Sequence, residues 1–100
     1  MIALIVAAAA LTPAADVVRD YIYCVRRNSA RLEPSGDPLQ DVAKAAIMMC
    51  NREELAAFSS LSGSTPEHLR ETAIFYGAGQ VVVTRVCRKN HDCGLLPLPR

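Results

Sequence analysis

The chain has 100 residues, 51% of them apolar, and its 11 basic and 10 acidic side chains leave a formal net charge of +1. This length fits one domain, and near-neutrality argues against a dedicated nucleic-acid binder, which would carry a basic face. Tryptophan is absent and 5% of the residues are aromatic, so a stacking platform for bases or sugars is not evident.

The first 15 residues, MIALIVAAAALTPAA, form an apolar segment without a charged side chain. A short apolar run followed by small residues is typical of a secretory signal peptide, and it is shorter than the roughly 20 apolar residues that span a bilayer. No basic residue precedes the run and Pro13 is unfavourable for cleavage before Asp16, so a buried N-terminal helix is the alternative. We expect a signal peptide at 1–15, a helical domain at 16–100 and a periplasmic or secreted location.

A first amphipathic helix is predicted from Asp16 to Leu32. Its apolar stripe follows three- and four-residue spacing and contains Val18, Ile22, Val25, Ser29 and Leu32. The opposite side is polar and contains Arg19, Asp20, Tyr23, Arg26, Arg27 and Arg31. The arginines are interpreted as a solvated face that suits the helix dipole, and a docking patch for an anionic lipid or acidic partner is the alternative.

The sequence EPSGD, residues 33–37, is rich in helix breakers and predicts a turn. Asp37 is the expected N-cap of a second helix, with Pro38 at its first position. Apolar residues at helical spacing continue this helix to about Ser59. The adjacent Met48 and Met49 are interpreted as core filler rather than as a binding surface or a soft-metal site.

A third helix is predicted from Pro66 to about Lys89, and its centre is apolar on nearly all sides. The alternative ends the helix near Tyr76 and continues as a strand at 81–87, which the β-branched residues favour. A lone strand would leave its backbone groups unpaired, so the continuous helix is preferred. Ala73 and Gly77 lie four residues apart, which predicts a strip where another helix approaches closely.

Four cysteines, Cys24, Cys50, Cys87 and Cys93, fit two disulfides in a small exported domain. An antiparallel hairpin of the first two helices brings Cys24 near Cys50, and a chain reversal after the third helix brings Cys87 near Cys93. We therefore expect Cys24–Cys50 with Cys87–Cys93. The second choice pairs Cys24 with Cys87 and Cys50 with Cys93.

A metal site is the competing interpretation of the same cysteines. Cys87, His91 and Cys93 lie within seven residues, and Cys50 is a conceivable fourth ligand. The spacing differs from the CxxC pair of zinc knuckles, so we expect no metal and no cofactor. Nor do the residues assemble a nucleophile, a base and an orienting group, so the chain is not expected to be an enzyme.

Together these patterns predict an all-α fold, a small three-helix bundle with disulfide staples preceded by a signal segment. The expected function is non-catalytic binding or structural association by an exported protein, with a metal-binding module as the alternative. No nucleic acid, no stable transmembrane span and an unidentified protein partner are expected. A homo-oligomer is a further expectation, because two covering helices leave part of an all-apolar third helix exposed.

Overall fold

A computed structural model describes residues 14–61 and 66–90 of the chain. This part contains four α-helices and no strand: α1 (Ala14–Leu32), α2 (Leu39–Met48), α3 (Asn51–Ser60) and α4 (Pro66–Asn90), with a 3-10 helix at Glu33–Ser35 between α1 and α2. The predicted all-α class is confirmed. The predicted signal peptide, apart from Ala14 and Ala15, lies outside the described residues, as does the tail after Asn90.

Helices α1 and α4 form the centre of the bundle, because α4 packs against both α1 and α2, and α1 also packs against α2 and α3. The apolar core consists of side chains from every helix. It includes Tyr21, Ile22, Val25, Ala46, Ile47, Ala57, Leu69 and Ala73. The stripes predicted from helical periodicity therefore point inward, and burial of these side chains is the main force that holds the helices together.

Helix α4 is continuous over its 25 residues, so the strand proposed as an alternative for 81–87 is wrong. Gly77 is buried at the point where α4 crosses α1 and α2. A Cβ atom there would come within 2.9 Å of both Ala43 Cβ and Ser29 Oγ. The expected close approach at Ala73 and Gly77 is thus confirmed. None of the described helices is long and apolar enough to cross a bilayer.

The second predicted helix is interrupted at Met49 and Cys50, which separate α2 from α3. The amide of Cys50 donates to the carbonyl of Ile47 at 2.9 Å, a tightened last turn, and Cys50 then leaves helical geometry at φ −112° and ψ 33°. Neither glycine nor proline marks this break. The sequence pattern therefore predicted one helix where the structure has two.

Two further expectations for this segment are wrong. Asp37 is not the N-cap, because α2 begins at Leu39 after Pro38 and has no side-chain cap. Met48 is 82% exposed and Met49 is exposed as well, so they are not core filler. Ala46, Ile47 and Cys50 occupy the buried side of this segment, and residues between them on a helix point away from it. The turn at residues 33–37 is confirmed, with Gly36 left-handed at φ 77°.

Candidate functional site

The disulfide between Cys24 on α1 and Cys50, which precedes α3, joins residues whose Cα atoms are 6.0 Å apart. Both cysteines are buried, and the side-chain amide of Asn28 donates to the Cys24 carbonyl at 2.9 Å and lies 3.5 Å from Cys50 Sγ. The preferred pairing of Cys24 with Cys50 is confirmed and the second choice is wrong. Cys87 is also disulfide-bonded. Its predicted partner Cys93 lies outside the described residues, so that pairing stays a prediction.

The disulfide changes the metal interpretation. The ligand atoms of Cys24, Cys50 and Glu53 lie within 4.8 Å of one another, which is the spacing of a metal cluster. Metal binding by cysteine requires a thiolate, and both sulfurs are consumed by the bond between them. Cys50 as a fourth ligand is therefore wrong, and Cys87 is likewise oxidised. His91 and Cys93 lie outside the described residues.

A buried polar cluster joins α1, α3 and α4. The carboxylate of Glu54 accepts a hydrogen bond from the Tyr21 hydroxyl at 2.7 Å and two from the Arg70 guanidinium, at 2.8 and 3.3 Å. Burial raises the pKa of Glu54, but the hydrogen bonds from Arg70 and Tyr21 together lower it below its ordinary value. Burial and the bond to Glu54 raise the pKa of Tyr21. Both oxygens of the carboxylate accept hydrogen bonds from side chains of the protein. We therefore assign this cluster a structural role.

A second carboxylate is held at the other end of the bundle. Glu33, buried in the turn after α1, accepts a hydrogen bond from Arg85 at 3.2 Å and contacts Arg88 as an ion pair. Arg85 also donates to the backbone carbonyl of Asp37 at 2.5 Å. These contacts tie the last turns of α4 to the α1–α2 connection. The two arginines neutralise the carboxylate, so we assign this cluster a structural role.

Arg26 contradicts its assignment to the solvated side of α1, because it is 0% exposed. None of its three side-chain nitrogens has a hydrogen-bond partner among the described residues. Burial lowers the pKa of the guanidinium, while the nearby Tyr76 and Tyr23 oppose that shift. The expectation failed because α1 is covered by three helices, so its buried arc is wider than a single apolar stripe.

A row of exposed apolar side chains lies along α4 in the described part. Phe75 is 74% exposed, Val86 is 53% and Val82 is 44%, and Ala78 lies between them on the same side of the helix. We call these four residues the exposed α4 face. Beside it, between α2 and α4, runs a groove of about 560 Å³, lined chiefly by Leu39, Ile74, Phe75, Ala78, Gly79 and Val82. Apolar side chains concentrated in this way are typical of contact surfaces.

A second cleft, of about 530 Å³, differs from this groove in its chemistry. Lys44, Asn51, Glu54 and Arg70 line it together with apolar residues of α2 and α4. The carboxylate of Glu54 and the guanidinium of Arg70 already bind each other there. Two of the polar groups of this cleft are therefore already paired with each other. The large apolar side chains of the exposed α4 face, in contrast, are only partly covered by other described residues.

Comparison of the chain with protein-family models, with curated proteins and with solved structures found no match. The functional interpretation therefore rests on the geometry. Of that geometry, the sequence indicated the cysteine pair and the excess of apolar surface on the last helix. It did not indicate the Tyr21–Glu54–Arg70 cluster, whose members are up to 49 positions apart. Nor did it show which side of α4 stays exposed.

Proposed function

We propose that this protein is an exported, oxidised, non-catalytic association module that binds an apolar partner surface through the exposed α4 face and the adjacent groove. The observation that carries the proposal is the 74% exposure of Phe75 in the middle of an apolar helical stripe. An aromatic side chain contributes a large contact area at low conformational cost, and aromatic residues are enriched at protein interfaces.

Export is supported by the buried Cys24–Cys50 disulfide. Disulfides persist in oxidising compartments such as the periplasm or the extracellular space. The apolar leader predicted for residues 1–15 fits the same route. In such a compartment, a covalent staple lets a domain of this size keep a small core while it presents apolar surface to a partner.

We infer a non-catalytic role because both buried carboxylates of the described part are bound by arginines of the same chain. Glu54 is held by Tyr21 and Arg70, and Glu33 by Arg85 and Arg88. Catalytic acids and bases are usually found facing a cleft with a site for substrate between them. The exposed α4 face instead offers shape and apolar area, which suit binding.

The proposal is tested with Phe75→Ser and the matched control Leu55→Ser, measured by the fluorescence of an apolar dye such as bis-ANS. Leu55 is 56% exposed but lies on α3, away from the face. We expect Phe75→Ser to lower dye binding several-fold and Leu55→Ser to change it little. Circular dichroism verifies that both variants stay folded. An equal loss in both variants, or no loss in either, would refute the face as the binding surface.

A further inference from the structure

We infer that the partner of the exposed α4 face is a second copy of this chain, packed with its α4 antiparallel to the first about a two-fold axis at the level of residue 80. This inference rests on the proposed function, because it names the occupant of the same surface. Its basis is the order of charged and small residues along α4. Two copies of the helix with this order are complementary only when they pack antiparallel.

The face ends in opposite charges. Successive helical residues turn by 100°, so Glu71 and Lys89, 18 positions apart, lie on the same side of α4 as Phe75 and Val82. At 1.5 Å per residue the two charged positions are about 27 Å apart along the axis. Both side chains are exposed, and neither makes an ion pair with another described residue. One end of the stripe is thus negative and the other positive.

This order selects the antiparallel arrangement. A two-fold axis near the level of residue 80 places Glu71 of each copy opposite Lys89 of the other copy, and Phe75 opposite Val86. A parallel pair in the same register would place Glu71 beside Glu71 and Lys89 beside Lys89, and like charges facing each other are unfavourable. A two-fold interface is also the commonest one in soluble homo-oligomers.

Small residues lie where the two helices would cross. Ala78 and Gly79 are half-buried and sit at the middle of the stripe, between Phe75 and Val82. Small side chains at a crossing point let helix backbones approach closely, and larger flanking residues then interdigitate. The groove beside Leu39 provides room for apolar side chains of the second copy. With the axis at the level of residue 80, Ala78 of each copy lies opposite Val82 of the other, so a small side chain faces a larger one on both sides of the axis.

The expected dimer is weak. One exposed helix side with three large apolar residues buries less surface than a typical stable interface, which buries about 800 Å² per partner. We therefore expect a dissociation constant in the micromolar range. Because the two charge pairs lie at the rim, screening should weaken the dimer as the salt concentration rises.

The test is sedimentation equilibrium of the oxidised full chain at low ionic strength, up to several hundred micromolar. Glu71→Lys alone and Lys89→Glu alone each replace two attractive pairs with two repulsive ones, and we expect each to weaken dimerisation about tenfold. An equimolar mixture of these two variants restores both attractive pairs, so it should form heterodimers about as tightly as the wild type. The double variant Glu71→Lys/Lys89→Glu should recover homodimers.

A wild-type chain that stays monomeric over this range would overturn the inference, as would single variants that dimerise like the wild type or a mixture that shows no rescue. Rescue by mixing also excludes misfolding as the cause of any loss. Failure here is distinguishable from failure of the proposed function. A monomer whose bis-ANS binding still depends on Phe75 keeps the association surface without the second copy, whereas a monomer without that dependence removes both.

Discussion

The hydroxyl of Tyr21 donates a hydrogen bond to the carboxylate of Glu54, 33 positions later in the chain, at 2.7 Å, and both side chains are buried. Arg70 completes the contact from α4. This relationship fixes α1, α3 and α4 to one another through directional bonds, in addition to the non-directional burial of the core.

Replacing Glu54 with glutamine should destabilise the fold by about 2 kcal/mol. The amide keeps one acceptor oxygen in place of two, so its NH2 group faces a donor of Arg70 or the Tyr21 hydroxyl, and at least one hydrogen bond of the cluster is lost. Arg70 is more than half exposed, so the charge itself contributes little of this. Urea unfolding at neutral pH measures the loss. The matched control is Glu53→Gln, at the neighbouring position. A similar effect of both substitutions would contradict the role of the cluster.

The same cluster sets how stability depends on pH. The pKa of Glu54 is lowered in the folded state, so its stabilisation is present well above the unfolded-state pKa of about 4.3 and is lost as the pH falls through the lower folded-state pKa. The pKa of Tyr21 is raised by burial, so its stabilisation is present below about pH 10 and is lost as the pH rises further. In Glu54→Gln the free energy of unfolding should therefore fall less steeply at acid pH than it does in the wild type. An equal loss of unfolding free energy at acid pH in the variant and the wild type would show that other groups cause this loss.

The Cys24–Cys50 disulfide encloses 26 positions of the chain, and removing it should cost about 3.5 kcal/mol in the chain-entropy description. The paired variant Cys24→Ala/Cys50→Ala avoids placing a hydroxyl in the core. Thermal unfolding of the oxidised wild type and of this variant measures the difference. We expect a clearly lower melting temperature. Equal melting temperatures would mean that helix packing alone maintains the fold.

Gly77→Ala should destabilise the fold by about 1–3 kcal/mol, because overpacking forces neighbouring atoms apart. The added methyl group would lie within 2.9 Å of Ala43 Cβ and 3.1 Å of Val25 Cγ1, where α4 crosses two helices. Gly79→Ala is the control, because Gly79 is half-buried beside the groove and alanine favours helix by up to about 1 kcal/mol. Chemical unfolding of both variants gives the comparison. A stabilising Gly77→Ala would contradict the tight crossing.

Arg26→Met should stabilise the protein by about 1–3 kcal/mol, since it replaces a buried guanidinium that lacks hydrogen-bond partners among the described residues with a shorter, flexible apolar side chain. Arg27→Met is the matched control on the next, exposed position, where Arg27 lies 5.6 Å from the Tyr23 ring. We expect that change to stay within about 0.5 kcal/mol. A destabilising Arg26→Met would show that the buried charge has a favourable role.

Periodicity was enough to predict which segments are helical, because burial of Val25, Ile47 and Ala73 follows the spacing that helices impose. The Cys24–Cys50 pairing followed from the hairpin that the turn at 33–37 dictates. The break at Cys50 was not predictable in this way, since neither glycine nor proline marks it. The exposure of Met48 and the burial of Arg26 were missed because they depend on which helices pack around each side chain, which periodicity alone does not show.

The candidate site was predictable only in outline. The excess of apolar residues in 73–83 indicated that two covering helices would leave part of α4 uncovered. Which side remained exposed depended on the crossing at Gly77, and that crossing fixes the rotation of α4 about its own axis. Phe75 therefore lies outside the core although its residue type favours burial.

The most direct measurement is the intact mass of the protein from its native host, taken without reductant after thiol alkylation. For an exported and oxidised module we expect a mass that lacks the leader, carries no alkyl group and is lighter by the hydrogens of two disulfides. A full-length chain alkylated at its cysteines would contradict both export and the covalent staple on which the proposed function depends.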